Sequence, residues 1–379
     1  MIRIRRGKVL RIIERREGIT IARVEVEGRE ETAVNYDSVT GPITPGQEVV
    51  LNTTAVRLGL GSGGMHFVMY AEGNDNIDPG PQGHIMKLRY TPYQVKCLCD
   101  EEQGSPHHKE VEEFDGLHGM PVVIGEIHSM LAPACSGLKV GTGGKARVAY
   151  LMTDGGALPI AFSKTVGVLL RHGLLDTTIT AGHAFGGHHE AVNVHSGLVI
   201  ARSVAKADAV VVSMGPGIAG TGTRYGFSGI EQGEVANAVL ALGGTPVLIP
   251  RISFADSRER HRGVSHHTLT VLSEIVTGRS IVCVPRMRED YRREVLGQLE
   301  KHGIAARHEI VEQDGEPALK ALEELGVELS TMGRDSVADR EFFLASGAAG
   351  LYAATLLAGC PEDVSEKALP AAQEQSDRS

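Results

Sequence analysis

Short, uninterrupted apolar runs alternate with segments of helical periodicity over the C-terminal two-thirds of the chain. The apolar runs are residues 121–131, 147–153, 177–181, 209–214, 245–250, 280–285 and 305–311. Segments with apolar residues at helical spacing follow at 162–172, 191–205, 230–242, 265–277, 288–302, 316–325 and 339–357. Strands buried on both faces are continuously apolar, and intervening helices connect parallel strands. The pattern predicts an α/β domain with a mainly parallel, Rossmann-like layered sheet over residues 121–360.

The beginning of the chain has a different pattern, with five strand-like runs separated by glycine and proline. These runs are residues 1–13, 18–28, 30–36, 47–58 and 65–70. Short strands at near-regular spacing predict an all-β, barrel-like module over residues 1–83, of which the last eleven are rich in turn residues. We expect connecting strands and a polar loop over 84–120, and a disordered tail over 361–379.

The longest uncharged run, residues 342–360, consists mostly of Ala, Gly and Leu. It falls at the lower edge of the roughly 20 apolar residues that a membrane helix needs. We therefore predict a buried helix and no membrane partner. Gly347 and Gly350 would permit either a close helix contact or a dimer interface, which leaves a homo-oligomer open.

Composition narrows the class of partner and the compartment. The net charge of −9 is spread along 379 residues without charged blocks, which argues against nucleic acid. Arg3, Arg5, Arg6 and Lys8 could contact RNA, but the absence of Trp and of an aromatic platform favours a solvated strand. An odd number of cysteines, five, without a second pair to complete a zinc site, indicates the reducing cytoplasm.

Three glycine-rich loops follow predicted strands, at 154–156, 182–190 and 215–229. Carboxyl ends of parallel strands share one edge of a sheet, so we expect these loops to line one rim. The longest loop matches the dinucleotide spacing G-x-G-x-x-G, but its glycines continue to Gly229 and no acidic residue ends the next strand. It also lacks the lysine of a P-loop. What remains is either a structural loop or a backbone cradle for a small anionic ligand, built from Gly215, Gly217, Gly220, Thr221, Thr223 and Arg224.

Histidines cluster in the second of these loops. A divalent metal is a possible cofactor, because this loop contains four side chains that can bind one: His183, His188, His189 and Glu190. Their spacing does not place two ligands on one helix face. General acid–base work by His188 and His189 without metal, and hydrogen-bonded loop histidines, both stay open.

A further candidate binding site follows the predicted strand 245–250. Arginine grips phosphate or carboxylate with two nitrogens, and a Ser before a helix leads into N–H groups for the same anion. The residues concerned are Arg251, Arg258, Arg262 and Ser265, with His266 as a proton carrier. A solvated basic loop has the same composition and is the alternative.

Four stretches, at 46–63 (GQEVVLNTTAVRLGLGSG), 182–197, 215–229 and 251–267 (RISFADSRERHRGVSHH), give the chain a family resemblance. Residues 1 to about 360 resemble an uncharacterised bacterial family, a group with a domain of unknown function. The resemblance implies a cytosolic bacterial protein with an N-terminal β unit and an α/β body, and it assigns no catalytic residue.

These observations lead to one functional hypothesis and one alternative. The first is a hydrolase or transferase that acts on a phosphorylated or nucleotide-like small molecule at the glycine-loop rim, with His188, His189 or His266 carrying protons. The alternative is a non-catalytic sensor or scaffold that binds such a ligand and presents its β module to a partner.

Overall fold

The structure is a computed structural model that describes residues 1–61, 63–76 and 78–358. Cys360 and the tail predicted to be disordered, 361–379, lie outside the described residues, so that prediction stands untested.

The N-terminal strands close into a five-stranded barrel, in the order β1-β2-β3-β5-β4. The strands are β1 (Ile4–Arg16), β2 (Ile19–Val26), β3 (Arg29–Tyr36), β4 (Glu48–Asn52) and β5 (Met65–Ala71), with short helices α1 (Asp37–Thr40) and α2 (Thr54–Leu58). The long strand β1 pairs with both β2 and β4 and so closes the barrel. Gly7 allows β1 to approach β2 closely, because a Cβ at this position would lie only 2.7 Å from the Glu25 carbonyl oxygen and would clash with it. The barrel-like module is confirmed.

A connecting segment joins the barrel to the second domain. It contains the hairpin β6 (Ile85–Lys87) and β7 (Val95–Cys97) and the short helix α3 (His108–Glu112). Lys87 is 1% exposed, and its ammonium donates to the carbonyls of Thr180 and Ala184 at 3.0 and 2.6 Å and to Glu190 at 2.6 Å. Because all three acceptors of this buried ammonium belong to the α/β domain, Lys87 anchors the hairpin to that domain.

The α/β domain is built on an eight-stranded sheet in which every pairing is parallel. Its strands are β8 (Pro121–Ile124), β9 (Val148–Thr153), β10 (Thr177–Ala181), β11 (His189–Ala191), β12 (Ala209–Met214), β13 (Thr245–Leu248), β16 (Ile281–Pro285) and β17 (Glu309–Gln313). Two small hairpins lie outside this sheet: β14 (Ile252–Ser253) with β15 (Gly263–Val264), and β18 (Ser330–Thr331) with β19 (Arg334–Asp335). The sheet order is β11-β10-β9-β12-β8-β13-β16-β17. The mainly parallel, Rossmann-like sheet is confirmed.

Helices cover both faces of this sheet. They are α4 (Leu131–Gly141), α5 (Lys164–Arg171), α6 (Val194–Ser203), α7 (Glu231–Ala241), α8 (His266–Thr270), α9 (Glu289–Lys301), α10 (Ile304–Arg307), α11 (Glu316–Glu324) and α12 (Arg340–Ala358). Short helical turns lie at His128–Met130, Ile160–Phe162, Ser228–Ile230, Glu259–His261 and Val271–Ile275.

The connections leave the centre of the sheet in opposite directions. From β8 the chain passes through α4 to β9, and from β12 it passes through α7 to β13. Right-handed crossovers place α4 and α7 on opposite faces; α4 packs with α11 and α12, and α7 packs with α6. The gap between the carboxyl ends of β12 and β8 is therefore a topological switch point, where open α/β sheets bind ligands.

Helix α12 carries the long apolar run. It is long and apolar enough to cross a membrane, but 67% of its most apolar window is buried inside the domain. It packs against α4 so closely that a Cβ on Gly350 would lie 2.1 Å from the Ala134 carbonyl oxygen, and one on Gly137 would lie 2.4 Å from the Gly347 carbonyl oxygen. The buried helix and its close glycine contact are confirmed.

Several predicted elements differ from the structure: residues 54–58, predicted as part of a strand, form α2, and the predicted strand 121–131 ends at Ile124 before α4. Residues 189–191 form β11, because they pair with β10, and α6 starts only after the Asn193 capping box. The strand predicted from 305 starts at Glu309, because Gly303, at φ +68°, leads into α10 first. The helix predicted over 265–277 starts after Ser265 as expected, but it widens into a π-helical turn and ends before Val276.

The barrel docks on the α/β domain next to the loop after β9. Arg16 donates from Nη1 to the Ala161 carbonyl oxygen at 2.9 Å, and the Phe67 and Phe162 rings lie 6.3 Å apart. Between the two domains lies an apolar cavity of about 390 Å³, lined by Tyr36, Asn52, Phe67, Met69, Leu88, Tyr93, Phe162, Phe185 and residues 156–159 among others.

Candidate functional site

The loops after β10, β9, β12, β8 and β13 touch one another along the carboxyl end of the sheet, which we call the rim. A Cβ on Gly156 would lie 2.2 Å from the Gly215 carbonyl oxygen, so the loops after β9 and β12 meet at glycine. A Cβ on Gly182 would lie 2.3 Å from a carboxylate oxygen of Asp154. At these positions a side chain would force the loops apart, so glycine is needed for the loops to pack against each other.

Two carboxylates, Asp154 and Glu231, stand together on the rim and are called here the carboxylate pair. Asp154 follows β9 and is exposed, and Glu231 starts α7 after the long glycine loop. Thr153 Oγ1 donates to Glu231 Oε1 at 2.5 Å, and a Cβ on Gly155 would meet Glu231 Oε2 at 2.6 Å. Burial, opposed by the Thr153 hydrogen bond and reinforced by the negative charges of Asp154 and Glu234, raises the pKa of the Glu231 carboxyl to about 7. Glu231 is thus a carboxyl group that exchanges its proton near neutral pH.

A second group, Glu126, Arg251, His261, His266 and His267, is called here the imidazole cluster. Glu126 lies two residues beyond β8 and its side chain is fully buried. Glu126 Oε1 accepts from Arg251 Nη1 at 3.1 Å and from His267 Nδ1 at 2.6 Å. Burial opposes ionisation of Glu126, but these two partners outweigh it and lower the pKa of the carboxyl. Glu126 therefore stays an anion inside the domain.

The three histidine rings of the imidazole cluster pack on one another. The ring centroids are 5.0 Å apart for His261 and His266, 5.1 Å for His261 and His267, and 4.3 Å for His266 and His267. Phe227 stacks on His267 at 3.9 Å. Burial, together with the positive charges nearby, lowers the pKa of His261 to about 3 and that of His266 to about 4. These two rings are neutral at physiological pH.

The long glycine loop lies over this cluster. A Cβ on Gly220 would stand 3.6 Å from Nε2 of His267, and one on Gly229 would stand 2.5 Å from the Glu126 side chain. Gly217 and Gly222 have φ of +114° and +77°, a region that favours glycine. The loop between them is exposed, and Thr221 and Thr223 share a hydrogen bond of 2.9 Å.

The structure ties the four residues predicted as metal ligands to four different partners. His183 Nδ1 accepts from the Leu88 N–H at 2.9 Å, and His189 Nδ1 lies 2.5 Å from Asp100. His188 Nδ1 accepts from the Thr178 N–H at 3.3 Å, and Glu190 pairs with Lys87. Among the described residues, these four do not form a group with converging ligand atoms. Metal binding and acid–base work by His188 and His189 remain predictions.

The predicted anion-binding arginines are each in an ion pair. Arg224 pairs with Glu274, Arg251 with Glu126, Arg258 with Asp256 and Arg262 with Glu294. Ser265 accepts from the His267 N–H at 3.3 Å and lies 2.8 Å from His261 Nδ1. These groups hold one another in place, and a bound anion would have to compete with carboxylates for the arginines. Gly215, Gly217, Gly220, Thr221 and Thr223 do lie on the rim, as the sequence predicts.

A serine–histidine pair also lies beneath the rim, but its geometry is structural. His128 Nε2 is 2.7 Å from Ser163 Oγ, and its Nδ1 is 3.1 Å from the Tyr150 hydroxyl. All three side chains are buried, and Ser163 Oγ accepts from the Val166 N–H as the cap of α5. Burial lowers the pKa of His128 to about 4, so the ring is neutral. A buried capping serine is not placed to attack a substrate.

Comparison with known families places the chain among proteins without an assigned activity. The family model described as protein of unknown function (DUF3866) matches residues 32–350, from β3 of the barrel into α12. The chain belongs to this family. No match was found among curated proteins. The match confirms the resemblance to a family with a domain of unknown function, and the functional argument rests on the rim itself.

The residues that carry the most chemistry on the rim have little local signal in the sequence. The pattern does not single out Glu126 or Glu231, it favours a turn at Asp154, and it shows His261 and His267 only as members of a basic segment. One signal is present, since Asp154 directly follows a buried apolar run and Glu126 interrupts another, two residues after β8 ends. The contact between Glu126 and His267 spans 141 residues of sequence and has no local signature.

Proposed function

We propose that the protein is an enzyme of the hydrolase or transferase class that acts on a phosphorylated or nucleotide-like small molecule at the rim. The observation that carries this proposal is the carboxylate pair. Glu231 has a pKa of about 7 beside Asp154, next to the topological switch point. Clefts in which neighbouring carboxyl groups have different proton affinities are typical of acid–base catalysis.

The two carboxylates have different environments and therefore different roles. Asp154 is exposed and one of its oxygens, Oδ2, accepts from the His183 N–H at 2.9 Å, an interaction with the charged form. Glu231 is largely buried, and its proton affinity matches neutral pH. In this proposal Glu231 gives a proton to the substrate or takes one from it, and Asp154, exposed beside it, orients the substrate or an attacking water.

Two features of the rim support a ligand with a phosphate and an apolar part. Exposed Gly220 and Gly222 offer backbone N–H groups, whereas those of Ala219 and Thr221 donate within the loop. The guanidinium carbon of Arg260 lies 3.9 Å from the position of a Cβ on Gly222. The apolar cavity between the domains begins at Gly156, two residues after Asp154, and holds several aromatic rings. A base or similar flat group would suit that cavity, and this gives the barrel a part in binding.

The same proposal keeps the cytoplasm as the location. Cys97, Cys99, Cys135 and Cys283 are free thiols. Burial raises the pKa of the Cys97 thiol to about 12 and also raises those of the other three. Unreactive, unpaired thiols are typical of proteins from reducing compartments.

A substrate panel tests the proposal. Nucleotides and sugar phosphates are screened first for binding by thermal shift and then for turnover between pH 5.5 and 9. For a compound that is turned over, we expect kcat/KM to change with pH, with an inflection near pH 7. Glu231→Gln should lower kcat/KM by about 100-fold or more and should abolish the inflection. Glu300→Gln, which changes an exposed glutamate of α9 away from the rim, is the control and should keep its activity within about two-fold.

Two outcomes would count against the enzyme. Retention of activity and of the inflection in Glu231→Gln would remove the carboxylate pair from the reaction. Binding of panel members without turnover of any of them would instead support the alternative, a sensor or scaffold.

A further inference from the structure

The imidazole cluster brings three histidine side chains to one point. The ligand atoms of His261, His266 and His267 all lie within 4.8 Å of one another. Among the described residues, this is the group of His, Cys, Asp or Glu side chains that meets the geometry of a metal site. His261 comes from the turn before β15 and the other two from the first turn of α8, so one seven-residue segment supplies all three rings, and Glu126 reaches them from the loop after β8.

Two of the rings are held by the partners that metal-binding histidines usually have. Nδ1 of His267 is 2.6 Å from Glu126 Oε1, and Nδ1 of His261 is 2.8 Å from Ser265 Oγ. A carboxylate on one ring nitrogen fixes the tautomer, orients the ring and makes the other nitrogen a better ligand. Nε2 of each ring is then the atom available to an ion.

The third ring has a buried nitrogen that the protein leaves without a partner. Nε2 of His266 and Oε2 of Glu126 are buried atoms without a hydrogen-bond partner among the described residues. A polar atom buried without a partner destabilises the folded protein. A bound ion would satisfy the His266 nitrogen directly.

We propose that His261, His266 and His267 bind one divalent transition-metal ion of the zinc class, with Glu126 behind them as the orienting carboxylate. Zinc accepts three imidazole ligands and keeps a fourth position for water or a ligand oxygen. Tetrahedral ligands at zinc stand about 3.3 Å apart, so shifts of about an ångström in the side chains would complete the set. Glu126 also offsets the charge of Arg251 beside the ion.

The ion would add a second positive charge to the rim, beside that of exposed Arg260. Arg224, Arg251, Arg258 and Arg262 are each paired with a carboxylate, so none has a free positive charge for a phosphate. A metal with an open position can bind a phosphoryl oxygen and activate a water. This role rests on the proposed function, whereas metal binding itself does not.

The test uses the full chain after removal of metals with a chelator. Zn²⁺ is titrated in competition with a chromophoric chelator, metal content is counted by mass spectrometry, and Co²⁺ is added for its absorption spectrum. We expect one equivalent per chain and the intense visible bands of tetrahedral Co²⁺. His266→Ala should weaken Zn²⁺ binding at least about 100-fold, because it removes one of three ligands.

Matched variants distinguish the imidazole cluster from the other histidines of the chain. His195→Ala removes an exposed histidine of α6 and should leave the affinity unchanged. His189→Ala removes a residue of the metal set predicted from sequence and should also leave it unchanged. His261→Gln provides a second variant of the cluster, and thermal unfolding without metal checks that each variant folds.

Two results would overturn the proposal: no binding of Zn²⁺ by the original chain, or binding that survives His266→Ala. Zinc binding as expected together with an inactive substrate panel would leave the metal site standing and would contradict the proposed function alone.

Discussion

At the scale of single residues, ion pairs decide which charges on the rim can meet a ligand. Arg258 makes a two-point contact with Asp256, at 2.9 and 2.7 Å. The Asp256 side chain is only 3% exposed, and the Arg258 contacts hold its pKa well below the usual range. Arg260, two residues later, is exposed beside the glycine loop. The first arginine supports the fold, and the second is placed for a ligand.

This contrast gives a prediction about two neighbouring substitutions. Arg258→Ala should lower the free energy of unfolding by about 1–3 kcal/mol, because it leaves the buried Asp256 carboxylate with only the backbone N–H of residue 258 and Arg334 at 3.6 Å. Arg260→Ala should change it by less than about 0.5 kcal/mol and weaken binding of a phosphorylated ligand. Urea denaturation measures the first effect and a thermal-shift titration the second. Equal stability losses in the two variants would contradict the assignment.

Residue chemistry could be predicted from sequence only where it is local. Gly215, Gly217 and Gly220 follow a buried strand, and their place on the rim follows from that pattern. Whether Arg251 is free or paired depends on Glu126, which lies 125 residues away. The sequence pattern contains no sign of that pairing. It therefore predicts arginines that are available to a ligand, whereas in the structure they are paired with carboxylates.

At the scale of elements, the contact of α12 with α4 shows how small residues bring two helices together. Gly350 lies against the backbone of α4, with Ala134 O, Ala134 C and Leu138 N within 2.1 to 3.0 Å of the position of its Cβ. Backbone atoms cannot move aside as the end of a flexible side chain can. The apolar run is therefore an internal contact surface.

Alanine substitutions in two helices test this contact. Gly350→Ala should destabilise the protein by about 3 kcal/mol, because the added methyl group separates the helices. Gly297→Ala in α9 is the control, since nothing lies within 4 Å of its Cβ position. That change should stabilise the protein by about 0.5–1 kcal/mol through helix propensity. Denaturant midpoints report both effects; a stabilised Gly350→Ala protein would disprove the close contact.

Element type was predictable for most of the sheet and for the periodic helices, but α2 forms in a segment predicted as a strand and α4 was not predicted. The boundary of β11 failed because it depends on tertiary contacts. β11 contains only three residues and exists through pairing with β10, next to the Glu190–Lys87 ion pair. No three-residue pattern predicts such a strand, since its stabilising partners come from a different hairpin.

At the scale of the whole molecule, the barrel, the hairpin and five strand ends surround one rim. Lys87 of the hairpin inserts into the loop after β10, and the barrel packs on the loop after β9. The carboxylate pair lies where these loops meet the start of α7. The proposed function depends above all on Glu231 exchanging a proton near neutral pH at this place.

The free energy of unfolding against pH, for the original protein and for Glu231→Gln, measures that proton exchange most directly. The folded pKa of Glu231 is about 7, whereas the ordinary value for a glutamate is 4.5, so the folded state holds the proton longer. Between these values the unfolded state binds fewer protons, and stability falls as pH rises. Over about pH 4.5–8 the original protein should lose about 3 kcal/mol relative to Glu231→Gln. Parallel curves for the two proteins would show that Glu231 does not hold its proton near neutral pH.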